Sequence, residues 1–193
     1  MPTATPLRND PRPAGPGARP IGLIGAPSDV AAGTRGANLG PEALRVAGLG
    51  GALARMGYAV QDYGNLAGPV NPLTGPVDGY RHFAETLHWC RSVRAAVAGA
   101  LEHEETPVLL GGDHSLSIGS LAAVARHCAE RGQPLCVLWL DAHADFNTHE
   151  TSPSGNVHGM PVAILCGDGH GDLLDLGHAR PMIDPGRVYQ VGI

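Results

Sequence analysis

The chain has 193 residues, 13 basic against 18 acidic for a formal charge of −5, and 43% of its residues are apolar. That length suits one domain with its own core, and because every basic residue is an arginine and no three adjoin, the basic footprint of a nucleic-acid or acidic-membrane binder is excluded. No apolar run approaches the ~20 residues of a membrane span, and 28 glycines with 17 prolines stop short of low-complexity composition.

Residues 1–20 hold six prolines and no apolar h-region, which predicts a disordered leader rather than a secretory signal, with the domain over residues 21–193. Ile21 to Gly25 reads as a first strand. Gly40 and Pro41 then open a helix carrying Leu44, Ala47 and Leu53 on one face. A second strand is expected near Tyr58 to Tyr63, followed by a Gly/Pro/Asn-rich loop to Gly79. Tyr80, Phe83, Ala84, Leu87, Cys90 and Val93 recur at three- and four-residue steps, the clearest helical signal in the chain.

A third strand, Pro107 to Leu110, is closed by Gly111 and Gly112, and Ile118, Leu121, Ala122, Ala125 and Cys128 mark the next helix. Leu135 to Leu140 is unbroken apolar sequence, as a central parallel strand covered on both faces requires. Its carboxyl end is where a ligand site is expected. Arg187 to Ile193 reads as a fifth strand. Strands alternating with helices predict a three-layer α/β/α domain with a mostly parallel sheet. Because nothing follows that last strand to cover it, the chain is expected to be cut short there. Cys90, Cys128, Cys136 and Cys166 stand singly among apolar neighbours, which predicts buried free thiols and a reducing cytoplasm.

Asp141-Ala-His143-Ala-Asp145 begins at the end of the fourth strand, where extended geometry turns alternate side chains to one side, so three metal-competent groups converge. One cation, or two sharing a carboxylate, fits there. Gly111-Gly112-Asp113-His114-Ser115 sits at the equivalent end of the third strand. If the two strands are neighbours, His114 faces the same pocket. Carboxylate and imidazole without thiolate favour Mn²⁺ and leave Zn²⁺, Co²⁺ and Fe²⁺ open. Gly167 to Gly171 has the glycines of a phosphate loop but follows a helical stretch, so it reads as an ordinary loop. His127, His149, His170 and His178 have no partner pattern and are expected at the surface or in packing.

GGDHS at 111–115, DAHADFN at 141–147 and SGNVHG at 154–159 together resemble the arginase branch of the ureohydrolase family, and IGAPSDVAAGTRGANLGPEALRVAGL extends the resemblance back to the first strand. The resemblance implies hydrolysis of L-arginine to L-ornithine and urea at a binuclear manganese site. His114, Asp141 and Asp145 would hold one Mn²⁺ and Asp141 with His143 the other, Asp141 bridging. Two cations acidify a shared water for attack on the guanidinium carbon, and this places Asp145 among the catalytic groups. His158 matches the family's proton-shuttle histidine and also borders the substrate. Asn147, Ser154 and Asn156 match the loop that receives the substrate α-carboxylate, and this favours arginine over agmatine, which has none. The resemblance further implies that the intact parent is a trimer or hexamer.

Family members continue past the fifth strand into βα units that supply further aspartates to both metals and to the substrate. None of these can be assigned here. The chain is therefore expected to be a partial ureohydrolase domain that binds at most one Mn²⁺ weakly and is itself inactive. The alternatives are an inactive metal- or arginine-binding remnant, or an agmatinase or other guanidino or formimino hydrolase.

Overall fold

Five strands, all paired in parallel, are divided between two sheets in the computed structural model, which describes residue 15 and residues 17–193. The first sheet has β1 (Ile21–Ala26) at its centre, flanked by β2 (Val60–Asn65) and β3 (Thr106–Gly111). The second pairs β4 (Val137–Leu140) with β5 (Val188–Val191). Most of the expected leader falls on residues 1–14 and 16, outside the described residues; residues 15 and 17–20 are exposed.

Every residue of β1 is buried, because helices cover both of its faces. Ile21 and Leu23 point with Leu110 toward Leu49 and Leu53 of α2 (Leu49–Arg55), which follows α1 (Gly40–Val46). Ile24 and Ala26 point the other way, into Trp89, Val93 and Val97 of α3 (Phe83–Glu102) and Leu116 of α4 (Leu116–Glu130). Each such aliphatic side chain, fully buried, contributes about 1.5–3 kcal/mol. The result is the expected three-layer α/β arrangement with parallel strands.

The helix α4 also joins the two sheets. Its Leu116 and Ala123 pack toward α3, while Ile118, Ala122 and Ala125 pack on Val137 and Trp139 of β4 and on α5 (Pro161–Leu165). A last short helix, α6 (Gly171–Leu174), begins where the His170 side chain accepts the amide of Asp172.

Several expectations need correction. The single helix after Pro41 is two, because Gly48 adopts φ 83° and breaks the ladder between them. The long helix starts at Phe83 rather than Tyr80, since Asp78, Gly79 and His82 all have positive φ. The fourth strand is covered on one face only: Val137 and Trp139 are buried, whereas Leu138 and Leu140 are 62% and 70% exposed. Cys136, of the same parity, is exposed with them, so it is not the buried thiol its neighbours suggested. Lastly, β3 and β4 belong to separate sheets, so the third and fourth strands are not paired. Among the described residues no helix is long and apolar enough to cross a membrane.

Candidate metal centre

Although β3 and β4 are not paired, the segments leaving their carboxyl ends meet. After β3 the chain turns through Gly112, where a Cβ would lie 1.8 Å from the carbonyl oxygen of Ser28, so only glycine fits. The backbone amide of Asp113 then donates to that same Ser28 oxygen at 2.8 Å, and His114 projects beyond the sheet. After β4, the Asp141 amide donates to Val191 at 3.1 Å and prolongs the β4–β5 ladder by one bond.

The segment from Asp141 to Asp145 is not the extended ladder that alternation implied. The Asp141 carboxylate accepts the His143 amide at 3.0 Å, and Asp145 has φ 49°, so the chain curls back and brings positions 141 and 145 together. Nδ1 of His114 lies 2.8 Å from Asp141 Oδ2 and 2.9 Å from Asp145 Oδ2. The three ligand atoms all fall within 4.8 Å of one another. His143 stands at the edge of this group, its side chain 82% exposed and its Nδ1 3.5 Å from Asp141 Oδ1. The same curl that gathers the aspartates turns it outward.

Electrostatics and packing agree with this grouping. The carboxylate of Asp145, then that of Asp141, raises the pKa of His114 against the opposing effect of burial. Burial by itself would raise Asp141, but the His143 amide and the two imidazoles outweigh it and its pKa is lowered. Asp145 is buried, and among the described residues its Oδ2 has no satisfied hydrogen bond despite the nearby imidazole. A buried carboxylate oxygen left in this state suits a cation. The imidazole of His114 is backed by the Trp139 indole, with ring centroids 4.3 Å apart and planes 24° from parallel.

Beside the cluster lies a cleft of about 670 Å³, bordered by His143, Asp145, Asn147, Ser154, Asn156 and His158. All the residues singled out for substrate contact therefore share one cleft with two of the metal-ligand candidates. Asn156 Oδ1 and His158 Nδ1 are buried there without partners among the described residues. The Ser154 hydroxyl accepts the Asn156 amide at 3.2 Å and shapes the loop.

One residue of the site escaped sequence reasoning. Asp113 is buried, its Oδ2 accepting the Ala31 amide at 3.1 Å and its Oδ1 accepting both the amide and the hydroxyl of Ser115, at 3.0 and 2.5 Å. Burial raises its pKa, opposed by these bonds and by His158. The local signal was present, an aspartate two residues before a serine, but its partner 82 positions away was not. Of the unpatterned histidines, His149 stacks on Tyr80 and His170 packs against Phe83 with its ring tilted by 54°, both packing roles as expected.

A sequence model of the Arginase family matches residues 19–193. The chain belongs to the arginase family. It is 40% identical over 177 residues to the arginase of Bacillus caldovelox, covering 91% of this chain and 58% of that protein. The solved structure of that arginase superposes with a TM-score of 0.83. Entamoeba histolytica arginase, solved with L-ornithine, gives 0.82 at 29% identity, covering 91% of this chain and 58% of that one. A hypothetical agmatinase of Burkholderia thailandensis gives 0.61 at 25% identity, covering 91% and 50%. The chain thus spans between 50% and 58% of the length of these proteins.

Proposed function

We propose that these residues are the metal-binding part of a manganese-dependent hydrolase that converts L-arginine to L-ornithine and urea. The observation that carries the proposal is the convergence of His114, Asp141 and Asp145 within 4.8 Å at the edge of a polar cleft. A mixed imidazole and carboxylate donor set suits Mn²⁺. The chemistry manganese supplies when bound is to lower the pKa of the water that attacks a planar guanidinium carbon.

The chain's own residues do the rest. His158, in the same cleft with a free Nδ1, holds the proton that the departing amine needs. Asn147, Ser154 and Asn156 offer short polar groups to the substrate α-carboxylate without adding charge. The greater likeness to arginases than to the agmatinase supports arginine as substrate. The described residues give three ligand atoms to one centre and leave His143 apart. The 193-residue chain therefore holds a single Mn²⁺ weakly and releases negligible urea by itself. A reducing cytoplasm, in keeping with four free cysteines, and a homo-oligomeric parent of trimers or hexamers complete the proposal.

The test is a chimera in which residues 19–193 replace the matched part of Bacillus caldovelox arginase. It should release urea from L-arginine in the presence of Mn²⁺, and Ser154→Ala and Asn156→Ala should raise KM for arginine far more than for agmatine. Equal effects on both substrates would contradict the assignment of this loop to the carboxylate.

A further inference from the structure

We infer that Asp113 is the positioning residue that holds the His114 turn and the His158 backbone at a fixed separation beside the cleft. The inference rests on the reading of His114 as a metal ligand and of His158 as a group of the same site. Three segments meet at this one carboxylate. Its Oδ2 accepts the amide of Ala31, in the loop after β1, at 3.1 Å. Its Oδ1 accepts the amide and hydroxyl of Ser115 at 3.0 and 2.5 Å, fixing the turn on which His114 sits. The carbonyl of Ala31 in turn accepts the backbone amide of His158 at 3.5 Å.

A continuous chain of contacts therefore runs from the His114 turn through Asp113 and Ala31 to the His158 backbone, and its central residues are buried. Asp113 is 8% exposed, Ser115 and Ala31 are fully enclosed, and among the described residues no arginine pairs with the carboxylate. A buried carboxylate without a basic partner is costly, and three hydrogen bonds to one side chain offset that cost only if all three donors stay in place. The arrangement is consequently stiff: shifting the loop after β1 relative to the His114 turn breaks at least one charge-assisted bond. Gly112 reinforces the same junction, because its lack of a side chain lets the β3 turn lie directly on Ser28. Groups that orient metal ligands from behind typically change metal affinity 10–100-fold when removed.

The experiment uses the 193-residue chain and two readouts, Mn²⁺ affinity by electron paramagnetic resonance and the paramagnetic broadening that bound Mn²⁺ causes in the His158 imidazole signals. Asp113→Ala should weaken Mn²⁺ about 10–100-fold and alter the broadening of His158 relative to the other histidines. Asp113→Asn, whose single oxygen can accept from Ser115 or from the Ala31 amide but not from both, should give a loss of both intermediate between Asp113→Ala and the unsubstituted chain. Val97→Ala, in the α3 core and destabilised to a similar melting temperature, should change neither. If Asp113→Ala does not fold, Asp113→Asn must still show a measurable loss of affinity and a shifted His158 pattern. Folded Asp113 variants that bind Mn²⁺ like the unsubstituted chain, with His158 broadening unchanged, overturn the positioning role while leaving the metal site intact. Failure of the unsubstituted chain to bind Mn²⁺ removes the metal reading and this inference together.

Discussion

The imidazole of His114 lies against the indole of Trp139, centroids 4.3 Å apart, and through this stack a side chain from the end of one sheet is seated on the buried face of the other. Two sheets that share no backbone hydrogen bond are thus registered at the metal cluster by side chains. Mn²⁺ held by His114 should quench the fluorescence of Trp139, while Trp89, in the α3 core, should respond little. Trp139→Phe should remove most of the quenching and keep binding. Quenching that survives this substitution would place the metal elsewhere.

Occupancy should depend on pH through His114. Its pKa is raised by Asp145 and Asp141, so in the metal-free protein the stabilisation from this pairing is fully present below the ordinary imidazole value of about 6.5 and lost as pH rises through the higher folded value. Mn²⁺ requires the neutral ring. Its affinity should therefore rise about tenfold per pH unit below that folded pKa and level off above it. Calorimetric titrations across this range check the midpoint, and a plateau already reached at the ordinary imidazole value would contradict the geometry.

Thiol reactivity should separate the cysteines cleanly. Burial pushes Cys90 up to about 12, whereas Cys136 sits on the uncovered side of β4. Maleimide should label Cys136 rapidly and leave Cys90 unmodified until the protein unfolds. Mass spectrometry of a labelling time course reads the order directly, and early modification of Cys90 would contradict the packing of α3 on α4.

Leu138 and Leu140 share their exposed face with Tyr189 and Val191, their parallel partners on β5. Four apolar side chains in one patch make the isolated chain prone to self-association. Leu138→Lys with Val191→Lys should lower the sedimentation coefficient at high concentration and change thermal stability by less than about 1 kcal/mol, as for other surface substitutions. An unchanged association state would show that this face is not responsible.

Much of this was legible in the residues. The apolar run of β1 and the three- and four-residue steps of α3 follow from local pattern, and the meeting of His114 with Asp141 and Asp145 follows from ligand types and the family resemblance of the two motifs. Sheet adjacency was not legible, because whether β3 and β4 pair is decided by contacts far apart in sequence. The curl from Asp141 to Asp145 was hidden for a different reason: the sequence permits an extended ladder, and the Asp141 bond to its own His143 amide selects the turn instead. Asp113 went unnoticed because its value lies in Ala31, reached only in the folded chain.

Titration of the 193-residue chain with Mn²⁺, followed by electron paramagnetic resonance, reads directly whether His114, Asp141 and Asp145 hold a metal ion. One ion should bind per chain, with affinity lost in His114→Ala, Asp141→Ala and Asp145→Ala and changed less than about threefold in His143→Ala, whose side chain stands outside the three-residue group. Absence of binding, or binding that survives Asp141→Ala and Asp145→Ala alike, would contradict the assignment of this cluster as the metal centre.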